Sequence, residues 1–133
     1  MTGANRLKNI AIETARGDDS LESARILLAA GKYADSVSRA YYGAYHYARA
    51  LLLSAGEEAQ THGGLTRLLH RDFVREGKLD ADVARLFSRL QNFRQDADYS
   101  AEIVFTTNAA AEELEAAERF VQAARDVLSR QHP

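Results

Sequence analysis

The single proline of this chain is its last residue, Pro133, so none of the preceding 132 positions carries the side chain most hostile to a helix. Alanine, leucine, glutamate and arginine recur throughout, and all four are strong helix formers. An all-α fold follows. Glycine supplies the punctuation: Gly17, Gly31, Gly56, Gly63, Gly64 and Gly77 separate segments of helical periodicity, where C-caps and turns use them. These breaks predict helices at about 4–16, 20–30, 33–55, 65–76, 80–98 and 106–130, and the first two can form one kinked helix.

Each segment carries an apolar stripe. Val37, Ala40, Tyr41, Ala44, Ala48, Leu51 and Ala55 recur at steps of three and four, as do Leu114, Ala117, Val121, Ala124 and Leu128. Short connections make consecutive helices antiparallel, and alanine-rich stripes allow close approach, so the expected architecture is an up-and-down antiparallel bundle of four to five helices. The acidic run 112–118 is expected to face solvent. With 133 residues, 46% of them hydrophobic, the chain is expected to form a single domain over 1–133.

The chain has no cysteine, which removes disulfides, thiolate metal sites and thiol redox chemistry. Residues 1–8 contain no apolar signal segment, and the longest strongly apolar stretch, around 48–55, falls far short of a bilayer span. A cytoplasmic protein without membrane contact is the expectation. Seventeen basic residues are offset by nineteen acidic ones, so any nucleic-acid signal must be local.

Most catalytic templates fail. There is no phosphate-cradling glycine loop, no helical pair of zinc-binding histidines and no nucleophile elbow. His46, His62, His70 and His132 are too scattered to suggest a metal, and no cofactor is expected. Three local features remain. Residues 39–47 place four tyrosines and a histidine within about two helical turns: Tyr41 and Tyr45 share one face, while Tyr42, His46 and Arg49 share another. Such a cluster serves either as packing, with hydroxyls bonded inside, or as a platform for nucleotides. Arg67, Arg71 and Arg75 form a stripe at steps of four, and Arg85 and Arg89 repeat that step. They can line a phosphate groove or pair with Asp72, Glu76, Asp82 and Asp96. Finally, Arg94 and Asp98 lie one helical turn apart beside Tyr99, which on pattern alone reads as an ion pair with a tyrosine anchor.

The segments Ser38-Arg39-Ala40-Tyr41-Tyr42-Gly43-Ala44-Tyr45-His46-Tyr47-Ala48-Arg49-Ala50-Leu51-Leu52, Thr61-His62-Gly63-Gly64 and Arg94-Gln95-Asp96-Ala97-Asp98-Tyr99 together resemble the HEPN family. More narrowly, they are similar to its small stand-alone prokaryotic members that carry an arginine followed by Ala-Asp-Tyr, and the likeness covers about 20–130. The resemblance implies a helical bundle, homodimerisation, and pairing with a minimal nucleotidyltransferase in toxin–antitoxin or defence modules. It also implies metal-independent ribonuclease activity, with the site centred on Arg94, Asp98 and Tyr99, while the aromatic cluster and the basic stripe offer Tyr42, His46, His62, Arg67 and Arg71 as nucleotide- or RNA-binding residues.

Active relatives place a histidine four to six variable residues after the motif arginine. Here residues 99–101 are Tyr, Ser and Ala. In the implied chemistry a base deprotonates the ribose 2′-hydroxyl for attack on the adjacent phosphodiester, and the arginine stabilises the developing charge. Tyrosine, with an unperturbed pKa of about 10, is a poor base at neutral pH. Asp98, His46 and His62 stand as substitutes. The alternative is a non-catalytic HEPN module that binds a partner or dimerises, with Arg94 and Asp98 as a structural clasp.

Overall fold

The computed structural model describes residues 3–99 and 105–131. They form five α-helices, with no strand among the described residues: α1 (Gly3–Ala29), α2 (Tyr33–Ser54), α3 (His62–Leu69), α4 (Ala81–Tyr99) and α5 (Thr107–Gln131). A π-helical turn, His70–Val74, continues α3. None of the described helices is long and apolar enough to cross a membrane.

The expected chain breaks are only partly used as breaks. Gly31, Gly56 and Gly77 adopt φ values of 77°, 76° and 72°, the left-handed conformation in which glycine ends a helical segment without a steric penalty. Gly17, in contrast, lies inside α1, so the segments 4–16 and 20–29 belong to one helix, the second of the two arrangements that the sequence allowed. Its role is steric. A Cβ on Gly17 would stand 2.6 Å from the Tyr47 ring, and one on Gly43 would stand 2.7 Å from Leu21, so this pair lets α1 and α2 approach closely. The Ser36 hydroxyl adds a buried hydrogen bond of 2.8 Å to the Ala24 carbonyl across the same interface.

Gly63 and Gly64 also fall inside a helix. Thr61 caps α3 by accepting from the Gly64 N–H at 2.9 Å, so the helix begins three residues before the expected position 65.

Helix α2 is the centre of the bundle and packs on α1, α4 and α5. Its expected stripe is buried from Val37 to Leu51, with Ala55 exposed beyond the helix end. Phe73, Phe87, Leu90, Phe120 and Val121 complete the core around Tyr41. The acidic run of α5 departs from the expected solvated face at Glu113, which is 1% exposed. Glu113 lies on the same stripe as Ala117 and Phe120, and Arg89 of α4 compensates the buried carboxylate with bonds of 2.6 and 3.2 Å to Oε2. Glu112 and Glu115 do face solvent.

Candidate functional site

Arg94 projects from α4 onto the aromatic face of α2. Its guanidinium carbon stands 5.6 Å from the centre of the Tyr41 ring and 5.3 Å from that of Tyr42. Cation–π attraction at such sites contributes about 0.5–2 kcal/mol per ring. One terminal nitrogen donates to the Tyr42 hydroxyl at 2.9 Å, and Nε lies 2.9 Å from Asp98 Oδ2. Asp98 is held in turn, because Ser38 of α2 donates to Oδ1 at 2.6 Å. The Arg94 side chain is 15% exposed and that of Asp98 30%, so the cluster sits in the protein surface with one side open. Beside it runs a broad groove of about 670 Å³ lined by Leu27, Asp35, Ser38, Arg39, Tyr42 and Asp98.

Tyr41 carries the cluster inward to His62. The tyrosine is fully buried, and its hydroxyl is in hydrogen-bond contact with His62 Nδ1. Burial drives the Tyr41 pKa far above the ordinary tyrosine value, although the Arg94 charge pulls the other way, so the phenol stays protonated at neutral pH. Burial also lowers the His62 pKa, and the nearby Arg94 charge lowers it further. His62 is therefore a neutral imidazole at pH 7. Where Nδ1 carries the proton toward Tyr41, Nε2 keeps a lone pair able to take a proton.

The other residues singled out in the sequence are distributed differently. His46 turns toward α1, with Nδ1 2.8 Å from Oε2 of the buried Glu13. Arg67 is exposed on α3. Arg71 is engaged with Asp72 at 2.8 Å and Glu57 at 2.9 Å, Arg85 with Asp82, and Arg89 with Glu113. Tyr99 closes α4, and its side chain lies outside the described residues. Arg94, Asp98, Tyr42 and His62 thus meet around Tyr41. Ser38 and Tyr41 were not assigned to the site from sequence. Ser38 sits one helical turn before Tyr42, and that spacing is the signal that could have found it. Among the described residues no three His, Asp or Glu side chains converge as metal ligands would.

A profile of the HEPN domain matches residues 13–128. The chain belongs to the HEPN family. Within that family it is 34% identical over 85 residues to a protein of Methanocaldococcus jannaschii named as a candidate toxin, an alignment covering 64% of this chain and 63% of the relative. A UPF0332 protein of Thermotoga maritima is 26% identical over 113 residues, covering 85% of this chain and 86% of the relative. A UPF0332 protein of Gloeobacter violaceus is 30% identical over 115 residues, covering 86% and 91%. The HEPN chain thus spans less than two thirds of the archaeal relative and most of the two bacterial ones.

Proposed function

We propose that this HEPN protein binds single-stranded RNA through Arg94 and cleaves it without a metal, as the toxic member of a toxin–antitoxin or defence pair. The observation that supports the chemistry is the arrangement around Tyr41, with a ring-stacked arginine on one side and a neutral histidine on the other. Arginine suits a phosphate because its planar fork supplies parallel donors to two oxygens. His62 takes the 2′-hydroxyl proton, the 2′-oxygen bonds to phosphorus, and the bond to the 5′-oxygen breaks. The leaving 5′-oxygen takes a proton from water, the His62 imidazolium returns its proton to solvent, and the products are a 2′,3′-cyclic phosphate and a 5′-hydroxyl end. Asp98 is less available as the base, since Ser38 and Arg94 engage its two oxygens.

Relatives named as candidate toxins support the biological half of this reading, as does family membership. It carries with it a homodimer and an antitoxin partner, a minimal nucleotidyltransferase. A second reading rests on the tight hold of Tyr42 and Asp98 on Arg94, which suits a structural clasp in a non-catalytic, partner-binding HEPN module.

Cleavage of end-labelled RNA in chelator separates the two. The wild type should yield cyclic-phosphate ends, and Arg94→Ala should lose on the order of a hundredfold in rate, as expected when a preorganised donor to developing charge is removed. No RNA binding by the wild type, together with loss of fold in Arg94→Ala by circular dichroism, would establish the clasp. Undiminished cleavage by a well-folded Arg94→Ala protein would show that the centre lies elsewhere.

A further inference from the structure

His62 has a second side. The ring that meets Tyr41 also forms one wall of a separate pocket of about 170 Å³, between α2 and the connection that leads to α3. Tyr45, Arg49, Ala59, Gln60, Thr61 and Leu65 supply the rest of its lining. The pocket has a mixed character. Tyr45 and His62 offer aromatic surface with ring centres 5.4 Å apart, Leu65 is buried behind them, and the exposed Gln60 brings an amide that both donates and accepts.

Arg49 is fixed in this wall before any ligand arrives. One terminal nitrogen donates to the Tyr45 hydroxyl at 3.0 Å, and Nε lies 3.5 Å from the buried Glu13 carboxylate. Its cation also stands 5.7 Å from the centre of the Tyr45 ring. Glu13 is itself anchored by His46, so the chain of contacts runs from α1 through α2 to the pocket. The Arg49 side chain is 43% exposed, and the charges of Glu13 and Glu58 both act on it. An arginine held in this way loses little further freedom when it meets an anion.

The pocket and the Arg94 cluster share a ring system. Tyr41 lies 5.6 Å from the Arg94 cation on one side, and its ring centre is 5.5 Å from that of His62 on the other. An aromatic wall, a polar edge that can read a base and an adjacent cation are the elements with which proteins hold an unstacked nucleotide.

We propose that this pocket is a nucleobase subsite: it takes one splayed-out base of the RNA strand whose phosphate Arg94 grips, with Arg49 meeting the phosphate next to that base. The proposal rests on the RNA-binding reading of the Arg94 cluster and adds to it the register of the strand. His62 then stands between the two subsites, against the ribose that joins them.

The test is fluorescence anisotropy with labelled pentaribonucleotides, one set with bases and one with an abasic sugar–phosphate backbone, in chelator. Wild type, Arg94→Ala, Arg49→Gln and Gln60→Ala are compared, with circular dichroism as the folding control. Arg49→Gln is expected to weaken binding of the base-containing strand about tenfold and Gln60→Ala about threefold, as the loss of one charge-assisted and one neutral hydrogen bond would give. Gln60→Ala should leave the abasic strand unaffected, whereas Arg94→Ala should weaken both strands. Gln60 lies on the surface, so that variant remains informative even where Arg49→Gln disturbs Glu13. If Arg94→Ala weakens binding and Gln60→Ala binds both strands as the wild type does, the base subsite is wrong and the Arg94 reading stands. If the wild type binds neither strand, both fail.

Discussion

Arg94 is held from two directions, and each hold can be removed separately. Tyr42→Phe deletes the hydroxyl that accepts from Arg94 but keeps the ring beneath the cation, so we expect a stability loss of only about 1 kcal/mol. Cleavage should fall about tenfold as Arg94 loses orientation. Denaturant titration and single-turnover cleavage check the pair, and a variant that cleaves at the wild-type rate would show that Tyr42 does not orient Arg94. The pH profile isolates His62. Because its pKa lies below the ordinary histidine value, the base is already neutral at pH 7, and activity should fall only as the pH drops through that lowered pKa. The same shift makes the fold lose stability on acidification, beginning where the unfolded histidine takes up its proton and ending below the folded pKa. A rate that climbs steeply between pH 7 and 9 would identify another base. The Arg94–Asp98 pair was legible because a helix alone brings residues four apart together. The contact between Tyr41 and His62 was not, since it depends on how the connection from α2 to α3 folds back over the bundle.

At the level of the helices, Gly17 shows why local rules misread one boundary. Glycine inside a helix costs about 1 kcal/mol relative to alanine, so a sequence reading favours a break there. The structure spends that cost on a close crossing, in which Gly17 and Gly43 face Tyr47 and Leu21. Gly17→Ala should therefore destabilise the protein by about 1–3 kcal/mol despite improving helix propensity, and chemical denaturation checks it. The Tyr47 ring has little room to yield. Its hydroxyl donates to Asp18 at 2.6 Å and accepts from Arg125 at 3.1 Å, and Arg125 also reaches Asp18 at 2.7 Å, tying α1, α2 and α5 together. An unchanged or raised midpoint in Gly17→Ala would mean that the crossing relaxes freely. Burial, with the Asp18 bond, raises the Tyr47 pKa to about 12. This contribution is fully present below the unfolded value near 10 and is lost as the pH rises through the folded one. Tyr47→Phe should accordingly flatten the alkaline unfolding curve over that window. The helix ends were easier to read than the crossing: Gly31, Gly56 and Gly77 mark them through a local backbone requirement, whereas the packing of Gly17 depends on a partner helix 26 residues away.

Across the whole molecule, the charges and aromatic groups are more internally satisfied than their density in the sequence suggests. The bundle buries Tyr41 and nearly all of Tyr47, and Tyr42 and Tyr45 are half-buried against the core, so little aromatic surface on α2 is left to drive association. Exposed apolar side chains instead lie on α1, at Leu7, Ile12 and Ile26. A stable dimer needs roughly 800 Å² from each partner, about a tenth of the 7323 Å² surface of this chain. The net charge of −2 opposes such pairing only weakly. We expect light scattering at tens of micromolar to give a mass near twice 14.7 kDa, and a monomeric mass would overturn the dimer. Dimerisation leaves open whether one site draws on both chains, and the contacts around Tyr41 decide that expectation. Arg94 and His62 both meet the Tyr41 of their own chain, so each chain holds the proposed charge-stabilising arginine and the proposed base together. Mixing Arg94→Ala with His62→Ala protein, after denaturation and refolding to exchange subunits, should therefore restore no cleavage. Recovery to about a quarter of wild-type activity, as random pairing of subunits with a shared site would give, would instead require the arginine of one protomer to work with the histidine of its partner.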